Sequence, residues 1–347
     1  MQKLPLGRSD IMVSEWCLGT MTFGNQTPED DAHHQIDMAV DAGINFLDTA
    51  EMYPVNPIRA ETVGLSEQVI GNWIAKTGRR DEIVIATKVS GNNRGWVREG
   101  RGYDGAVIRE TVDASLKRLQ TDVIDLYQMH WPIRGSYMFR QNWHYDPSSQ
   151  NRQETLDHMI DVLEALDEAV KAGKIRAIGM SNESAWGMTK WIDQAEAVGL
   201  PRMASVQNEY SLLCRLYDTD MAEMAVNEDV TLLSFSPLAA GILTGKYQNG
   251  QVPEGSRMAI NGDLGGRRSP RVFDATQAYL DLAAENGLDP VHMAMAWQRT
   301  RPFPVSAIFG ATTSEQLKQI LGGKDVVLSD DVVGAIDQLH QAHPMPY

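Results

Sequence analysis

The stretches GINFLDTAEMY (43–53), IVIATK (83–88) and TDVIDLYQMH (121–130) each carry an apolar run that leads into polar side chains. The runs have the length and β-branched content of buried strands, and amphipathic segments of helical period separate them. Strands that alternate with helices pair in parallel, because each helix returns the chain to the same end of the sheet. The polar residues that follow these strands therefore meet at one edge.

The same alternation extends along the rest of the chain. Amphipathic segments that predict helices occupy residues 30–42, 62–76, 107–119, 156–172 and 189–197. Candidate strands occupy residues 16–20, 45–48, 83–88, 123–130, 175–180, 204–207, 231–235 and 307–309. Eight units of this kind close into a (β/α)₈ TIM barrel, so the predicted fold class is α/β.

Two long segments, 131–150 and 239–270, interrupt the alternation. Each follows a predicted strand, so each is expected at the C-terminal mouth of the barrel, where barrel enzymes have their active sites. Loops of this length are uncommon unless they are functional. Because no linker or change of composition divides the chain, we predict one domain over residues 1–347.

Composition excludes several kinds of partner. The net charge of −15 disfavours nucleic acid, because an acidic surface repels phosphate backbones. No apolar run reaches the length of a membrane span, and the N-terminal residues lack the apolar core of a signal peptide. Cys17 and Cys214 are interpreted as reduced thiols of a cytoplasmic protein. No group of residues has metal-ligand spacing, so no metal is predicted.

Four residues at three neighbouring strand ends suit the reduction of a carbonyl group. Tyr53 can donate a proton to the developing alkoxide, and the cation of Lys88 is expected to lower the pKa of that phenol. Asp48 would keep Lys88 charged, contributing about 4 kcal/mol at ~4 Å and an effective dielectric constant of ~20. His130 can donate a hydrogen bond to the same oxygen. These four residues are the predicted catalytic group.

These motifs resemble the aldo-keto reductase family. GINFLDTAEMY followed by ATK and by RLQTDVIDLYQMHWP is similar to the segments that carry the family's tetrad of Asp, Tyr, Lys and His. The resemblance runs from Leu4 to about Leu339 and is greatest to a bacterial Tas-like branch, which is related to the potassium-channel β subunits. It implies an oxidoreductase that uses NADP(H) to reduce a small carbonyl compound.

The resemblance also implies a set of cofactor contacts, which run from the end of the fifth predicted strand to the final helix. The nicotinamide would be held by Ser181, Asn182 and Gln207 and stacked on Phe235. The phosphates would contact Ser236, Pro237, Leu238, Gly241, Lys246 and Arg257, with Arg257 at the 2′-phosphate. The adenosine end would contact Gly310, Thr312, Gln316 and Gln319.

This chain departs from the family pattern at the adenosine end. Many relatives carry cations in the segment that opens the last helix, whereas no cation lies between Gly310 and Gln316. Ile320 stands where the family often has asparagine. The predicted preference for NADPH over NADH therefore depends on Arg257 and Lys246.

The mouth loops supply candidates for substrate contact. Trp131 directly follows His130 and is predicted to line the substrate pocket. The arginines of the loop after the third strand, Arg94, Arg98 and Arg101, are expected to form a solvated run of charge.

Two other functions are compatible with these residues. A subunit that binds NADP(H) to sense redox state, as the channel β subunits do, would keep the same tetrad. An aldolase could use Lys88 to form a Schiff base, which also suits a barrel. The cofactor residues argue against the aldolase, because that reaction needs no carboxamide-binding group.

Overall fold

Ten strands form in the chain, and eight of them make the barrel. The computed structural model describes all 347 residues. The strands are β1 (Lys3–Pro5), β2 (Met12–Ser14), β3 (Trp16–Gly19), β4 (Phe46–Asp48), β5 (Val84–Val89), β6 (Ile124–Met129), β7 (Ile175–Ser181), β8 (Met203–Glu209), β9 (Thr231–Phe235) and β10 (Val305–Phe309). Strands β3 to β10 pair in parallel in chain order, and β10 returns to β3 to close the ring. The predicted (β/α)₈ barrel is confirmed.

Eleven helices accompany the strands. They are α1 (Glu29–Asp41), α2 (Leu65–Thr77), α3 (Gly105–Leu119), α4 (Arg152–Lys171), α5 (Ala185–Val198), α6 (Asp220–Asn227), α7 (Arg257–Ile260), α8 (Pro270–Glu285), α9 (Pro290–Gln298), α10 (Ser314–Leu321) and α11 (Asp330–Ala342). Side-chain caps fix several of their starts, as at α3, where the Asp104 carboxylate accepts a hydrogen bond from the backbone of Val107. None of the helices combines the length and apolar character needed to cross a bilayer.

The main core lies between the barrel and its helices. Apolar side chains of the strands pack there against the inner faces of the helices, and the largest of them, Trp16, Trp73, Trp191 and Trp297, are fully buried. Burying one large aromatic side chain is worth roughly 3 kcal/mol or more by its apolar area. The strands therefore form a rigid ring that fixes the positions of their polar ends.

An N-terminal hairpin of β1 and β2, which the sequence pattern did not predict, closes the bottom of the barrel. Leu6, Ile11 and Val13 from this hairpin pack with residues that point into the barrel from its strands. Gly7 lies so close to β8 that a Cβ atom there would be 2.4 Å from the carbonyl oxygen of Ala204. The hairpin therefore covers the end of the barrel opposite the polar strand ends.

Candidate active site

Asp48 and Lys88 form a buried ion pair inside the mouth of the barrel. Asp48 ends β4, Lys88 lies in the adjacent β5, and the Lys88 Nζ atom is 2.7 Å from Asp48 Oδ2. The Lys88 side chain is 0% exposed and the Asp48 side chain is 3% exposed, so water screens the pair very little. Lys88 Nζ also donates to the carbonyl oxygen of Thr49 at 2.7 Å. Two acceptors therefore fix the ammonium group.

Two glutamines complete the surroundings of Asp48. Its second oxygen, Oδ1, accepts from Gln207 Nε2 at 2.8 Å and from Gln128 Nε2 at 3.4 Å. Gln128 was not predicted as a site residue. It stands two positions before His130 in β6, and the two-residue period of a strand would have placed it on the same face.

Tyr53 and His130 lie above this ion pair. The Tyr53 ring centroid is 4.8 Å from Lys88 Nζ and 5.6 Å from the His130 ring, which it meets edge to face. Both side chains are buried. The structure thus brings the four predicted catalytic residues into one cluster, although they come from three separate parts of the chain.

Burial sets the protonation of this cluster. It raises the pKa of Tyr53 above the ordinary tyrosine value, and the opposing effect of Lys88 is smaller. Lys88 does lower the pKa of Tyr53, as expected. The pKa nevertheless ends above the ordinary tyrosine value, because burial has the larger effect. For Lys88 itself, burial lowers the pKa, but Asp48 and Tyr53 together raise it above the usual lysine value.

His130 is neutral at physiological pH. Burial, and then the positive charge of Lys88, hold its pKa well below the ordinary histidine value. A neutral imidazole keeps one N–H donor and one acceptor nitrogen. The buried Nδ1 atom has no hydrogen-bond partner within the protein.

Trp131 forms one wall beside His130. Its indole lies 4.8 Å from the His130 ring between centroids and donates from Nε1 to the carbonyl oxygen of Asn92 at 3.0 Å. The indole reaches this position because Gly91 has no side chain: a Cβ atom there would lie 2.3 Å from the indole nitrogen. Phe139 packs edge-on against Trp131 at 6.0 Å.

The prediction of a solvated arginine run after β5 is wrong for Arg98. Its guanidinium contacts both oxygens of Glu51, at 2.8 and 2.6 Å, and donates to the carbonyl oxygen of Ser90. Arg98 is 13% exposed and Glu51 is 5% exposed. Glu51 lies two residues before Tyr53, so this buried pair braces the loop that carries the phenol.

The three residues predicted for the carboxamide lie at adjacent strand ends. Ser181 ends β7 and donates to the carbonyl oxygen of Gln207 at 2.8 Å, and Asn182 follows with a left-handed φ of 55°. Asn182 Nδ2 donates to the carbonyl oxygen of His130 at 2.9 Å, while its buried Oδ1 has no partner. Gln207 uses its amino group on Asp48, which leaves its carboxamide oxygen for a ligand.

The residue predicted to stack on the nicotinamide, Phe235, ends β9, and the predicted phosphate-binding residues follow it. Phe235 and Ser236 are half-buried at the strand end, followed by Pro237 and Leu238. Gly241 has a φ of 89°, and the Lys246 side chain lies against it, with Cε only 2.8 Å from where a Cβ atom of Gly241 would be.

Lys246 and Arg257 are half-buried cations with no carboxylate partner, unlike most arginines of this structure. Burial and the neighbouring Arg257 lower the pKa of Lys246, and burial and the neighbouring Arg267 lower that of Arg257 to about 10. Two mutually repelling cations without counter-charges form a local positive field on an acidic protein. Such a field suits an anionic ligand.

The predicted adenosine contacts lie in the segment after β10 and in α10. Gly310 follows β10, and the amide oxygen of Gln316 accepts from both the backbone and the hydroxyl of Thr312 at 3.0 Å. Gln319 donates from Nε2 to Asp289 at 3.1 Å, so its amino group is already engaged. These residues present amides and hydroxyls.

Comparison with known proteins finds similarity along the whole chain. The sequence profile described as "Aldo/keto reductase family" matches residues 15–341. Protein tas of Escherichia coli K12 is 44% identical over 349 residues, which cover 100% of this chain and 99% of that protein. "Uncharacterized oxidoreductase YrpG" of Bacillus subtilis is 33% identical, covering 96% of this chain and 94% of its own. "Probable voltage-gated potassium channel subunit beta" of Arabidopsis thaliana is 30% identical over a match that covers 99% of this chain and 98% of that protein.

Proposed function

Because the chain belongs to the aldo/keto reductase family, we propose that it reduces the carbonyl group of a small aldehyde or ketone, with NADPH as the reductant. The observation that carries this proposal is the buried Lys88–Asp48 ion pair directly beneath the phenol of Tyr53. We place the activity in the cytoplasm, a reducing compartment in which the free thiols of Cys17 and Cys214 persist.

Tyr53 is the proposed general acid. The chemistry that NADPH would supply when bound is hydride transfer to the carbonyl carbon, after which the carbonyl oxygen would need a proton. The raised pKa keeps Tyr53 protonated at pH 7, so the proton is present when the oxygen becomes negative. Lys88, 4.8 Å from the ring, stabilises the phenolate that remains. Asp48 keeps Lys88 charged.

His130 is proposed to orient the carbonyl oxygen rather than to protonate it. Its pKa lies too low for a charged imidazolium at pH 7, so it offers one neutral N–H to the oxygen. Trp131, packed against His130, presents an apolar surface that excludes water from the reacting group. Exclusion of water strengthens the electrostatic contribution of Lys88.

The residues present fit a nicotinamide cofactor. The unpartnered oxygen of Asn182 and the free carboxamide oxygen of Gln207 can accept from the nicotinamide amide group. The half-buried ring of Phe235 can stack on the nicotinamide. Lys246 and Arg257 supply positive charge for phosphates.

We further propose that NADPH is preferred over NADH. The two cofactors differ by one phosphate dianion, and discrimination between them requires a cation that touches it. The segment from Gly310 to Gln319 presents amides and hydroxyls, with Lys318 as its single cation. Arg257 is therefore the proposed 2′-phosphate contact, and Lys246 is assigned to the pyrophosphate that both cofactors share. The planar guanidinium suits a phosphate group.

A second candidate function is redox sensing without rapid turnover. It is favoured by the relative named as a potassium channel β subunit, which is similar to this chain over nearly its full length. The aldolase alternative is disfavoured, because a Schiff base requires a neutral lysine and the pKa of Lys88 is raised.

The test is turnover of NADPH with a panel of aldehydes, ketones and quinones by the wild-type protein and Tyr53→Phe. We expect Tyr53→Phe to lower kcat by about 10²–10⁴ while NADPH affinity stays unchanged. Tyr279→Phe is the matched control and should stay active, because Tyr279 is a buried tyrosine of α8 whose hydroxyl donates only to the carbonyl oxygen of Leu212. NADPH binding without turnover of any carbonyl would favour the sensing function, and activity of Tyr53→Phe within twofold of wild type would refute its role.

A further inference from the structure

A buried carboxylate outside the tetrad joins three separate segments at the mouth of the barrel. Glu209 ends β8, and its Oε2 atom accepts from Arg140 Nη1 at 2.6 Å. Its Oε1 atom accepts from Arg267 Nε at 2.7 Å and from the Tyr347 hydroxyl at 3.1 Å. Arg140 belongs to residues 131–150, here called the substrate loop, and Arg267 to residues 239–270, here called the cofactor loop.

We propose that Glu209 is a positioning residue that couples the two loops, so that a change in the substrate loop alters cofactor binding and the reverse. This inference rests on the proposed function, because it takes the two loops as the substrate and cofactor sides of one site. Glu209, Arg140 and Arg267 contact none of the four proposed catalytic residues, so their proposed effect is indirect.

On the substrate side, the ion pair holds a strained backbone. Phe139 and Arg140 are consecutive residues with φ of 56° and 64°, a left-handed conformation that costs energy in residues other than glycine. Phe139 packs on Trp131, and Trp131 packs on His130. The contact of Arg140 with Glu209 therefore fixes the wall beside His130.

On the cofactor side, Arg267 closes the loop onto the barrel. Besides its bond to Glu209, it donates to the carbonyl oxygen of Leu264 at 2.9 Å and to the hydroxyl of Ser236 at 3.3 Å. Ser236 is one of the residues proposed to contact the pyrophosphate. The same guanidinium thus connects Glu209 with the phosphate end of the site.

The two loops also touch directly. A Cβ atom built on Gly265 would lie 3.4 Å from Arg140 Nη2, and one built on Gly266 would lie 3.6 Å from Arg140 Cβ. Both glycines are left-handed, with φ of 67° and 85°, which lets the cofactor loop turn against the arginine. Movement of either loop must therefore disturb the other.

Charge makes the coupling strong. Arg140 is 14% exposed, and Arg267 and Glu209 are each 7% exposed, so one carboxylate balances two largely buried cations. Burial raises the pKa of Glu209, but the two arginines hold it below its usual value. Loss of either arginine removes one of the two ion pairs of Glu209, and the groups that remain are too buried for water to replace it.

The experiment measures NADPH dissociation rate, carbonyl KM and kcat for Arg140→Met, Arg267→Met and the double variant. We expect Arg140→Met to speed NADPH dissociation about tenfold, the size of one charge-assisted hydrogen bond, and Arg267→Met to raise the carbonyl KM as well as the dissociation rate. In the double variant the NADPH dissociation rate should rise by less than the product of the two single fold-changes, which is the value expected for independent effects. Arg152→Met, on the exposed start of α4, is the control and should behave as wild type.

Two further variants separate coupling from loss of folding. Arg140→Lys keeps the cation and should restore most of the wild-type dissociation rate. Tyr347→Phe removes one hydrogen bond to Glu209 without changing charge, and it should speed dissociation by a smaller factor. A dissociation rate within twofold of wild type in Arg140→Met, or in Tyr347→Phe if Arg140→Met does not fold, would overturn the coupling, as would additive effects in the double variant. Absence of any NADPH binding by the wild-type protein would instead refute the proposed function.

Discussion

Replacing Lys88 with methionine removes the charge that is proposed to assist Tyr53 and that is paired with Asp48. At 4.8 Å from the Tyr53 ring and an effective dielectric constant of about 20, that charge favours the phenolate by about 3.5 kcal/mol. Its loss weakens Tyr53 as an acid by roughly 300-fold. Because the proton is only partly transferred in the transition state, we expect kcat to fall by between about tenfold and 300-fold.

The same change leaves Asp48 as a buried carboxylate with only glutamine donors. Breaking a buried ion pair in this way costs about 3–5 kcal/mol, so the free energy of unfolding should fall by that amount. The pKa of Lys88 is raised in the folded protein, so its stabilising charge is fully present below about pH 10.4. The difference in stability between wild type and Lys88→Met should therefore be constant from neutral pH to about pH 10 and shrink at higher pH.

Carbonyl-dependent oxidation of NADPH and denaturant unfolding measure the two effects. Lys171→Met is the matched control, because Lys171 is 75% exposed in its pair with Asp167 and should contribute little to either quantity. If Lys88→Met keeps activity within twofold of wild type, Lys88 does not assist Tyr53. If it destabilises the protein no more than Lys171→Met, the buried pair lacks the energetic role assigned to it.

Four other measurements test the site. Arg257→Ala should weaken the binding of NADPH at least about tenfold and leave the binding of NADH nearly unchanged, since only NADPH carries the extra phosphate. Equal weakening of the binding of both cofactors would place Arg257 on the shared pyrophosphate. Asn182→Ala should weaken both cofactors by similar factors, and a selective loss of one would contradict its assignment to the nicotinamide. The pH profile of kcat/KM should show no limb near pH 6.5, because the pKa of His130 is far lower. It should fall only above about pH 10, where Tyr53 loses its proton. A limb near pH 6.5 that disappears in His130→Gln would refute the neutral imidazole. Trp131→Ala should raise the KM of apolar carbonyls several-fold more than that of the smallest aldehydes, and equal effects on all substrates would remove Trp131 from the pocket.

The barrel could be predicted because its signals are local. Each strand is a short apolar run, each helix an amphipathic one, and the predicted strand limits differ from the observed ones by at most two residues. Parallel pairing then follows from the alternation itself. The convergence of Asp48, Tyr53, Lys88 and His130 follows in turn, because residues at the carboxyl ends of neighbouring parallel strands share one end of the barrel.

The N-terminal hairpin and the surroundings of the tetrad could not be predicted in the same way. Residues 3–14 carry no strong period, and they fold as β1 and β2 because the open bottom of the barrel offers their apolar side chains a place to bury. Gln128 looked like one polar residue within a strand. Its contact with Asp48 depends on the register of two strands that are not adjacent in sequence.

The sequence by itself determined the fold and the side-chain types that stand at the strand ends, since both depend on residues at regular spacing. Only the tertiary structure decided which charges are paired. Arg98 meets Glu51 across 47 positions of the chain, and Glu209 meets Arg140 and Arg267 across 69 and 58 positions. The protonation of Tyr53 was also decided there, because burial outweighs the charge of Lys88. Sequence spacing carries no information about such distances or about exclusion of water, and both set the energy of a charge.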